Sequence, residues 1–470
     1  MCKPTAMSDQ TISPDHTTGQ GDEHSAESRM IAFVEQLIGG KAVKVRRQAR
    51  WRPAWFVDID RDGALVRLHV RGDRGSDVLP FPSLQREADI LQVLEAGGIP
   101  VPHVFGMCPD PEAIVMDAVV GKRDITGLAA GQQRIIADQY IAMLAKMHQL
   151  DTAPFGAIGL NIPTTPAAIA LGMLDAYVPL YERTKVNPEP MIEFAIAWAR
   201  RNVPLQRTRA TFVHWDAGQF LQDGENVTAL HDFETCLVGD PLMDLAALRL
   251  RDPAEPIGAP LAHLFRRYEE ESGEQIDVAA LGFHTMIFGL VGAMALAGPM
   301  VKPQVGSPHF EYLWWDLMQR RAAIWALAEC LGVTIERPVA PEPKPTTAAP
   351  MLHMLRDLLG QLQPPSSLDR YPHYALGMMA NCLLHHDEVG AQLDRDTTDE
   401  FGAILGRRYE TRLEADRDLE QFVRIAGPES DRVLVQCFAR QIERQVLALA
   451  PIAGYVAGYA LAPIPDRTTL

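Results

Sequence analysis

Apolar and polar residues alternate along residues 54–71, on both sides of the turn at 61–63. The apolar positions are Phe56, Val57 and Ile59 before the turn, and Leu65, Leu68 and Val70 after it. Such alternation around an Asp-Gly pair is typical of a β-hairpin. At residues 83–97 the apolar spacing becomes helical, and the Gly97-Gly98 pair would end the helix. The sequence therefore predicts a strand pair followed by an amphipathic helix.

The pattern changes again along the rest of the chain. Short extended segments are expected at 99–105 and 114–116, because prolines and short apolar runs interrupt the helical spacing there. From about residue 130 the pattern is mainly helical, with one β-rich interruption at 211–233 around an Asp-Gly turn. We therefore expect an α+β protein with a small mixed N-terminal lobe and a mostly helical second lobe.

One apolar stretch, residues 278–301, is long enough to span a bilayer and carries no formal charge. It contains His284, three internal glycines and Pro299, and no other stretch of this kind occurs in the chain. A helix buried inside a helical lobe is apolar all round for the same reason as a membrane helix. We therefore predict a buried helix and no membrane association.

Prolines mark the clearest boundary, with five of them between Pro338 and Pro350. A proline-rich segment cannot continue a helix and is typical of a semi-rigid linker. The predicted segments are 1–28, a disordered tail without the apolar core of a signal peptide; 29–118, the N-terminal lobe; 119–335, the second lobe; 336–350, the linker; and 351–470, a separate all-α C-terminal domain.

Charge and cysteine content exclude several classes of function. The 470 residues include 44 Lys and Arg against 60 Asp and Glu, a net charge of −16. This sign argues against a general binder of nucleic acid or of anionic membranes. The six cysteines are scattered, which indicates neither a disulfide framework nor a structural zinc site. Reduced thiols and a cytoplasmic location are the expectation.

The β-rich interruption carries the candidate chemistry. Asp216 lies just before its first short strand, and Asp232 lies just after its second. A hairpin would bring both carboxylates to the same end. Phosphoryl transfer uses such a pair, in which one carboxylate orients the attacking hydroxyl and the other holds Mg²⁺ against the phosphates.

The ordered set His214, Asp216, Gln219, Asp232-Phe233-Glu234, Gly239-Asp240-Pro241 and Asp244 resembles the motif of the aminoglycoside phosphotransferase-like (choline-kinase-like) family. This resemblance covers roughly residues 30–335 and implies a bilobal protein-kinase-like fold that uses ATP and Mg²⁺. It implies that Asp216 orients and helps deprotonate the substrate hydroxyl. Gln219 and Asp232 would bind Mg²⁺, while His214 in the catalytic loop would brace that loop, as Asp240 and Asp244 would brace the segments that follow.

The resemblance extends to the N-terminal lobe. Arg71 matches the residue that pairs with the α- and β-phosphates, and Glu87 matches the glutamate that holds it. Met116 and Ala118 match the hinge between the lobes, whose backbone would bind adenine.

Two departures from the family pattern leave a second function class open. The loop between Asp216 and Gln219 is about two residues shorter than usual, and its amide residue is Gln instead of Asn. Residues 41–55 contain no glycine, although the family places a glycine-rich phosphate flap there. A catalytically weak nucleotide-binding scaffold is therefore an alternative to an active kinase.

Residues 41–52 form a basic cluster without an intervening acid: Lys41, Lys44, Arg46, Arg47, Arg50 and Arg52. Two interpretations remain open, a solvated basic face or a site for an anion such as ATP or a phosphate-bearing substrate.

The substrate class rests on the C-terminal segment. Residues 370–381 and 405–406 resemble a small helical domain found with kinases of 4-hydroxyacyl-CoA thioesters. This resemblance implies a hydroxyacyl-CoA or related metabolite, whose coenzyme A phosphates the basic cluster could bind. An aminoglycoside-type alcohol is the alternative substrate, and 351–470 could instead serve a homodimer or bind a partner enzyme.

Overall fold

The computed structural model describes residues 20–48, 52–73, 79–304, 307–364, 370–453, 456 and 458–465. Its N-terminal lobe contains a five-stranded antiparallel sheet in the order β1-β2-β3-β5-β4. The strands are β1 (Lys41–Arg47), β2 (Ala54–Arg61), β3 (Ala64–Gly72), β4 (Val104–Pro109) and β5 (Glu112–Asp117). The predicted hairpin at 54–71 is confirmed as β2 and β3.

The turn between β2 and β3 sets the register of this hairpin. Asp62 and Gly63 have φ angles of 55° and 84°, the left-handed conformation that a tight two-residue hairpin turn requires. The Gly63 N–H donates to Oδ1 of Asp60 at 2.8 Å. The register places Arg71 near the far end of β3, between Ala54 on β2 and Ile114 on β5.

The first helix, α1 (Gln20–Ile38), corrects the predicted extent of the disordered tail. Residues 20–28 were predicted to be disordered and are helical, while residues 1–19 lie outside the described part of the chain. The helix packs through Met30 and Val34, both fully buried against the sheet. These two residues are one turn apart, and their packing stabilises a helix whose early turns are polar, because tertiary packing outweighs local composition.

The second helix, α2 (Leu84–Ala96), matches its sequence-based prediction. The Ser83 hydroxyl accepts the N–H of Arg86 at 3.4 Å and caps the helix, which ends before Gly97 as expected. Glu87 lies in its first turn and is 3 % exposed, so this carboxylate is buried.

The second lobe is mostly helical, as predicted. Its helices are α3 (Ala130–Met147), α4 (Ala153–Ala157), α5 (Pro166–Thr184), α6 (Pro190–Arg201), α7 (Leu242–Arg251), α8 (Leu261–Ser272), α9 (Val278–Val301) and α10 (His309–Cys330). Four short strands lie between α6 and α7 in two antiparallel pairs: β6 (Thr211–Val213) with β9 (Leu237–Gly239), and β7 (Phe220–Asp223) with β8 (Asn226–Leu230). The predicted α+β fold class is therefore confirmed.

Within the described residues, α9 is the single helix long and apolar enough to cross a membrane. In its most apolar 18-residue window, 78 % of the residues are buried inside the protein. Its Gly289 packs closely against α10, where an added Cβ would lie 2.7 Å from the Ala323 nitrogen. This packing agrees with the prediction of a buried helix.

The C-terminal segment is joined by an extended connection. Residues 333–346, all of them described, form neither helix nor strand. The connection is tied to the C-terminal helices, since the Lys344 N–H donates to the Glu388 carbonyl at 2.9 Å. The helices that follow are α11 (Ala349–Gln361), α12 (Arg370–Leu405), α13 (Arg412–Ile425), α14 (Asp431–Ala448) and α15 (Ala450–Ala453).

These C-terminal helices pack directly against the second lobe. Phe438 of α14 contacts Phe194 of α6, with ring centroids 5.5 Å apart, and both rings are buried in one continuous core. An ion pair joins Lys185 Nζ to Glu420 Oε2 at 2.6 Å, and another joins Arg321 Nε to Glu443 Oε1 at 2.8 Å. The C-terminal segment is all-helical as predicted, and it docks on the second lobe.

Candidate active site

The β7–β8 hairpin positions the two candidate carboxylates. Phe220 pairs with Leu230 at its open end, and the Gly224-Glu225 turn closes the other end, where Asp223 pairs with Asn226. Asp216 precedes β7 and Asp232 follows β8, so both residues leave the hairpin on the same side. The sequence-based prediction of their common location is confirmed by this geometry.

Asp244 organises the loop that carries Asp216. Its Oδ2 atom accepts the His214 N–H at 3.0 Å, and its Oδ1 atom accepts the Trp215 N–H at 2.7 Å. His148 Nε2 lies 2.9 Å from Oδ2 of the same carboxylate. Trp215 has a φ of 67°, a strained value for a bulky residue, so these hydrogen bonds hold the loop in a conformation it would not adopt alone.

The side chain of His214 lies behind the loop. Its Nε2 atom donates to the Asp232 carbonyl at 3.1 Å, and its ring stacks on Phe233 with centroids 4.3 Å apart. The residue is fully buried. This arrangement braces the segments on either side of the hairpin, the position expected for His214.

Asp240 has a similar supporting position on the far side of the loop. Arg207 donates to both of its oxygens at 2.9 Å, and His284 Nε2 lies 3.2 Å from Oδ2. Burial by itself would raise the pKa of Asp240, but His284 and Arg207 together hold that pKa below its usual range. The buried histidine of α9 therefore lies against this carboxylate in a supporting position.

Two polar side chains hold the carboxylate of Asp216. Arg251 Nη1, at the end of α7, lies 2.7 Å from Oδ1, and Gln219 Nε2 donates to Oδ2 at 2.9 Å. Arg251 was not predicted as a site residue, and only its position on the helix that follows the motif could have indicated it. Gln219 is predicted to be a metal ligand. Because its Nε2 atom donates to Asp216, its Oε1 atom is the one that could bind a metal.

Arg71 connects the two lobes. Its Nη1 atom lies 2.9 Å from Oε1 of Glu87, and its Nη2 atom lies 2.7 Å from Oδ1 of Asp232. The same Nη2 atom is 3.2 Å from Oε2 of Glu234. The predicted Arg71–Glu87 pair is present, and Glu234 is a site residue to which the motif gave no role.

Two further arginines of the N-terminal lobe reach the segment that contains Asp232. Arg52, only 3 % exposed, forms an ion pair with Oε2 of Glu234. Arg86 of α2 donates through Nη2 to the Cys236 carbonyl at 2.5 Å and stacks over Phe81, with its guanidinium carbon 4.1 Å from the ring centroid. The residues after β8 are therefore held by cations from three elements of the N-terminal lobe.

The pKa shifts follow from this charge density. Burial would raise the pKa of Asp232, but Arg71 and other nearby cations lower it well below the usual range. Burial raises the pKa of Glu87, and Arg71 only partly opposes this. The pKa of Arg52 is lowered, first by burial and then by the nearby charge of Arg71.

The hinge differs from its prediction at Ala118. Its N–H donates to the Arg67 carbonyl at 3.0 Å, and the N–H of Asp117 donates to the His103 carbonyl at 2.9 Å. Met116 is buried in the sheet, 3 % exposed and paired with both His69 and Val104. Sheet pairing thus extends further than expected, and these N–H groups are not available to adenine without a change in the sheet.

The described members of the basic cluster have different surroundings. Lys41 is exposed and its Nζ lies 2.8 Å from Oε2 of Glu35, while Arg46 lies over Phe56 with its guanidinium carbon 4.8 Å from the ring centroid. Arg52 turns inward to Glu234, and Arg50 lies outside the described residues. Lys41, Arg46 and Arg52 therefore have separate partners among the described residues.

The residues present fit a magnesium ion held together with phosphates. In the described part of the chain, no group of three or more His, Cys, Asp and Glu side chains is arranged to hold a metal. Mg²⁺ bound with nucleotides commonly uses only one or two carboxylates, with phosphate oxygens and water completing its shell. The side chains of Asp216 and Asp232 are 30 % and 29 % exposed, so both carboxylates are partly accessible to solvent.

Comparison with known proteins gives a family match and a fold match. The model of the phosphotransferase enzyme family matches residues 46–280, which end at the start of α9. A crystal structure from Ralstonia eutropha, described as a candidate aminoglycoside phosphotransferase, has a TM-score of 0.50 at 17 % identity and covers 66 % of this chain and 99 % of that one. The apoenzyme of a macrolide 2′-phosphotransferase from Brachybacterium faecium has a TM-score of 0.45 at 17 % identity and covers 62 % of this chain and 97 % of that one.

One curated relative is much longer than the matched region. The mouse protein named acyl-CoA dehydrogenase family member 10 is 26 % identical over 199 residues, which is 38 % of this chain. The match spans only 18 % of that relative. The family match leaves 281–470 uncovered, so the resemblance of the C-terminal helices to a kinase-associated domain stays a prediction.

Proposed function

We propose that this chain, which belongs to the phosphotransferase enzyme family, is an ATP- and Mg²⁺-dependent kinase acting on a hydroxyl of a small metabolite. The observation that carries the proposal is the placement of Asp216 and Asp232 on one side of the β7–β8 hairpin, both partly accessible to solvent. Arg71 reaches Asp232 from the opposite lobe. A hydroxyl-orienting group, a metal-binding group and a phosphate-binding cation thus lie around one cleft.

Asp216 is the group that would accept the proton of the acceptor hydroxyl. Arg251 and Gln219 each contact one of its oxygens, so the carboxylate has a fixed orientation. Fixing a general base before the substrate binds reduces the entropy that must be lost on the way to the transition state.

Asp232 and Oε1 of Gln219 are the protein ligands we assign to the metal. Mg²⁺ bound there would neutralise and align the phosphates of ATP. Arg71 would bind the α- and β-phosphates, and Glu87 would hold its guanidinium through the 2.9 Å contact. Arg71 also contacts Asp232, so it would keep that carboxylate close to the phosphates until the metal binds.

We propose a hydroxyacyl-CoA as the acceptor. The support is the resemblance of the C-terminal helices and the match to a protein whose name refers to acyl-CoA dehydrogenation. Phosphorylation of a hydroxyl on such a thioester converts a poor leaving group into phosphate. An aminoglycoside-type or other small alcohol is the alternative acceptor, since a solved structure of similar fold is described as a candidate aminoglycoside phosphotransferase.

One observation favours a second function, a catalytically weak nucleotide-binding scaffold. The N–H groups of Asp117 and Ala118 are already donated within the sheet. Adenine would then have fewer hinge donors, and nucleotide binding would be weaker than in an active kinase.

One experiment separates these functions. The full chain is incubated with Mg²⁺ and ATP and with each of a 4-hydroxyacyl-CoA, the free 4-hydroxy acid and an aminoglycoside, and ADP and phosphorylated product are quantified. We expect turnover with the thioester, and we expect Asp216→Asn to reduce kcat on the order of 10²–10⁴-fold. Exposed Asp175→Asn is the control.

ATP binding without turnover of any acceptor, unchanged by Asp216→Asn, would support the scaffold and reject the kinase. Turnover of the aminoglycoside alone would reject the hydroxyacyl-CoA assignment and keep the kinase. Equal turnover of the thioester and the free acid would show that the enzyme does not recognise the coenzyme A part of the substrate.

A further inference from the structure

Arg52 differs from the other described members of the basic cluster because it points into the molecule. It lies in the connection between β1 and β2, and its side chain is 3 % exposed. Lys41 of the same cluster is 82 % exposed at its side chain and pairs with Glu35. A buried arginine is rare unless it is paired, so its partner indicates its role.

The partner of Arg52 is also a partner of Arg71. Both guanidinium groups contact Oε2 of Glu234, Arg71 at 3.2 Å through Nη2. Two arginines that share one carboxylate oxygen lie within the width of a single phosphate group. An oxyanion bound by Arg71 in place of Glu234 is therefore within reach of Arg52.

The charges around this pair are suited to an exchange of partners. The two arginines face three carboxylates, namely Glu87, Asp232 and Glu234. In the function proposed above, the metal takes Asp232, and the two cations can then be shared between Glu234 and phosphate oxygens. Arginine binds phosphate oxygens through two parallel N–H donors, which makes such contacts both strong and directional.

The sequence of the β1–β2 connection supports the same role. Residues 41–55 contain no glycine, the residue that most readily lets backbone N–H groups approach phosphates closely. A cationic side chain that reaches the phosphate position would supply N–H donors in their place.

Resting on the proposed kinase function, we propose that Arg52 is a phosphate-binding residue of the nucleotide site, which leaves Glu234 to contact the β- or γ-phosphate of bound ATP. The role is binding and positioning, because Arg52 exchanges one anionic partner for another. The nucleoside and the α-phosphate would not require it.

The test compares the affinities of ATP, ADP and AMP by isothermal titration calorimetry with the full chain and Mg²⁺. We expect Arg52→Gln to weaken ATP on the order of tenfold or more, as for loss of a charge-assisted hydrogen bond, and to leave AMP within about twofold. Arg52→Lys keeps the positive charge but loses the paired N–H donors of the guanidinium. Its affinity for ATP should lie between those of the wild type and of Arg52→Gln. The control is Arg61→Gln, an exposed arginine at the end of β2 in the same sheet.

A second variant covers the case in which Arg52→Gln leaves Glu234 uncompensated and the protein does not fold. The double variant Arg52→Gln/Glu234→Gln removes both charges of the ion pair and should still lose ATP affinity selectively. An equal loss for all three nucleotides would show that Arg52 only supports the fold and would overturn the proposal. The same ATP-to-AMP affinity ratio as in the wild type would overturn it as well.

The same titrations distinguish this inference from the proposed function. A wild-type chain that binds ATP and phosphorylates an acceptor, with an unchanged affinity ratio in the Arg52 variants, rejects the role of Arg52 alone. A wild-type chain that does not bind ATP rejects both.

Discussion

The Nη1 atom of Arg251 lies 2.7 Å from Oδ1 of Asp216, and the same atom donates to the Asp216 carbonyl at 3.2 Å. The end of α7 therefore holds both the side chain and the backbone of the candidate catalytic residue. Burial by itself would lower the pKa of Arg251, but Asp216 and neighbouring acids raise it above its ordinary value. This contact makes α7 part of the candidate active site.

Removal of this cation should disturb the orientation of Asp216. We expect Arg251→Gln to reduce kcat on the order of 10²-fold, because small displacements of a catalytic group have effects of this size. The KM for ATP should change less than kcat, since the hydrogen bonds and ion pairs described for Arg251 go to Asp216, Ala217 and Glu255. Steady-state kinetics with Arg200→Gln, an exposed arginine, as the control checks this. A raised KM with unchanged kcat would contradict the positioning role.

Asp244 should be essential for the loop conformation. Asp244→Ala leaves two buried backbone N–H groups and His148 without their acceptor. We expect a loss of about 3 kcal/mol or more in the free energy of unfolding. Denaturant titration measures it, and the exposed Asp175→Ala should cost less than about 1 kcal/mol. Equal losses for the two variants would show that Asp244 has no special structural role.

Gln219 is expected to affect the metal requirement. In Gln219→Ala the site loses an oxygen ligand, and the Mg²⁺ concentration for half-maximal turnover should rise about tenfold. The measurement is a Mg²⁺ titration at a fixed concentration of free ATP. Gln219→Asn keeps an amide on a shorter side chain and serves as the matched variant. An unchanged Mg²⁺ requirement in both variants would reject Gln219 as a metal ligand and leave it only the role of contacting Asp216.

His231 should make stability depend on pH. Burial lowers its pKa to about 4, whereas an unperturbed histidine has a pKa of about 6.5. Between these values the unfolded chain binds a proton that the folded chain does not, so the stability is full above about pH 6.5 and is lost as the pH falls toward 4. This contribution amounts to about 3 kcal/mol at most.

The check is the thermal unfolding midpoint from pH 7 to pH 4.5. His231→Gln, which has no charge to gain, should show a smaller decrease than the wild type over this range. His353→Gln, an exposed histidine of α11, is the control. Parallel pH curves for His231→Gln and the wild type would assign the decrease to other groups.

The C-terminal segment should support catalysis through α7. The Tyr459 hydroxyl donates to the Leu250 carbonyl at 3.0 Å, one residue before Arg251. Tyr459→Phe leaves that carbonyl unsatisfied, and we expect it to cost about 1–3 kcal/mol in stability and to lower kcat. In Tyr409→Phe, which loses a hydrogen bond to Asp418 far along the chain from α7, stability should fall without an effect on kcat. Equal effects of both variants on kcat would show that the C-terminal segment does not support catalysis through the contact of Tyr459 with α7.

The predicted site residues that the structure brings together as expected are those placed by local structure. Asp216 and Asp232 flank one hairpin, whose Asp223-Gly224 pair and alternating strands are legible in the chain. Arg71 and Glu87 meet because a strand register and a helix phase, both set by nearby residues, bring them together. The buried course of α9 was predictable for the same reason, since its composition leaves it no polar face.

The residues that the sequence did not identify depend on contacts between distant elements. Arg251 reaches Asp216 only because α7 packs against the catalytic loop, and Arg52 reaches Glu234 across the cleft between the lobes. The Ala118 N–H, predicted to face adenine, donates instead to the Arg67 carbonyl on the neighbouring strand. Strand pairing decides this contact, and composition does not.

The amino-acid sequence alone determined the elements, the catalytic motif and the family resemblance, because turn chemistry, periodicity and motif order act over short distances. Tertiary structure alone decided which cations face the site and that the C-terminal helices dock on the second lobe. The sequence does not show which way a charged side chain points. Arg52 turns inward to Glu234, which only the folded chain brings close to it, whereas Lys41 stays exposed and pairs with Glu35.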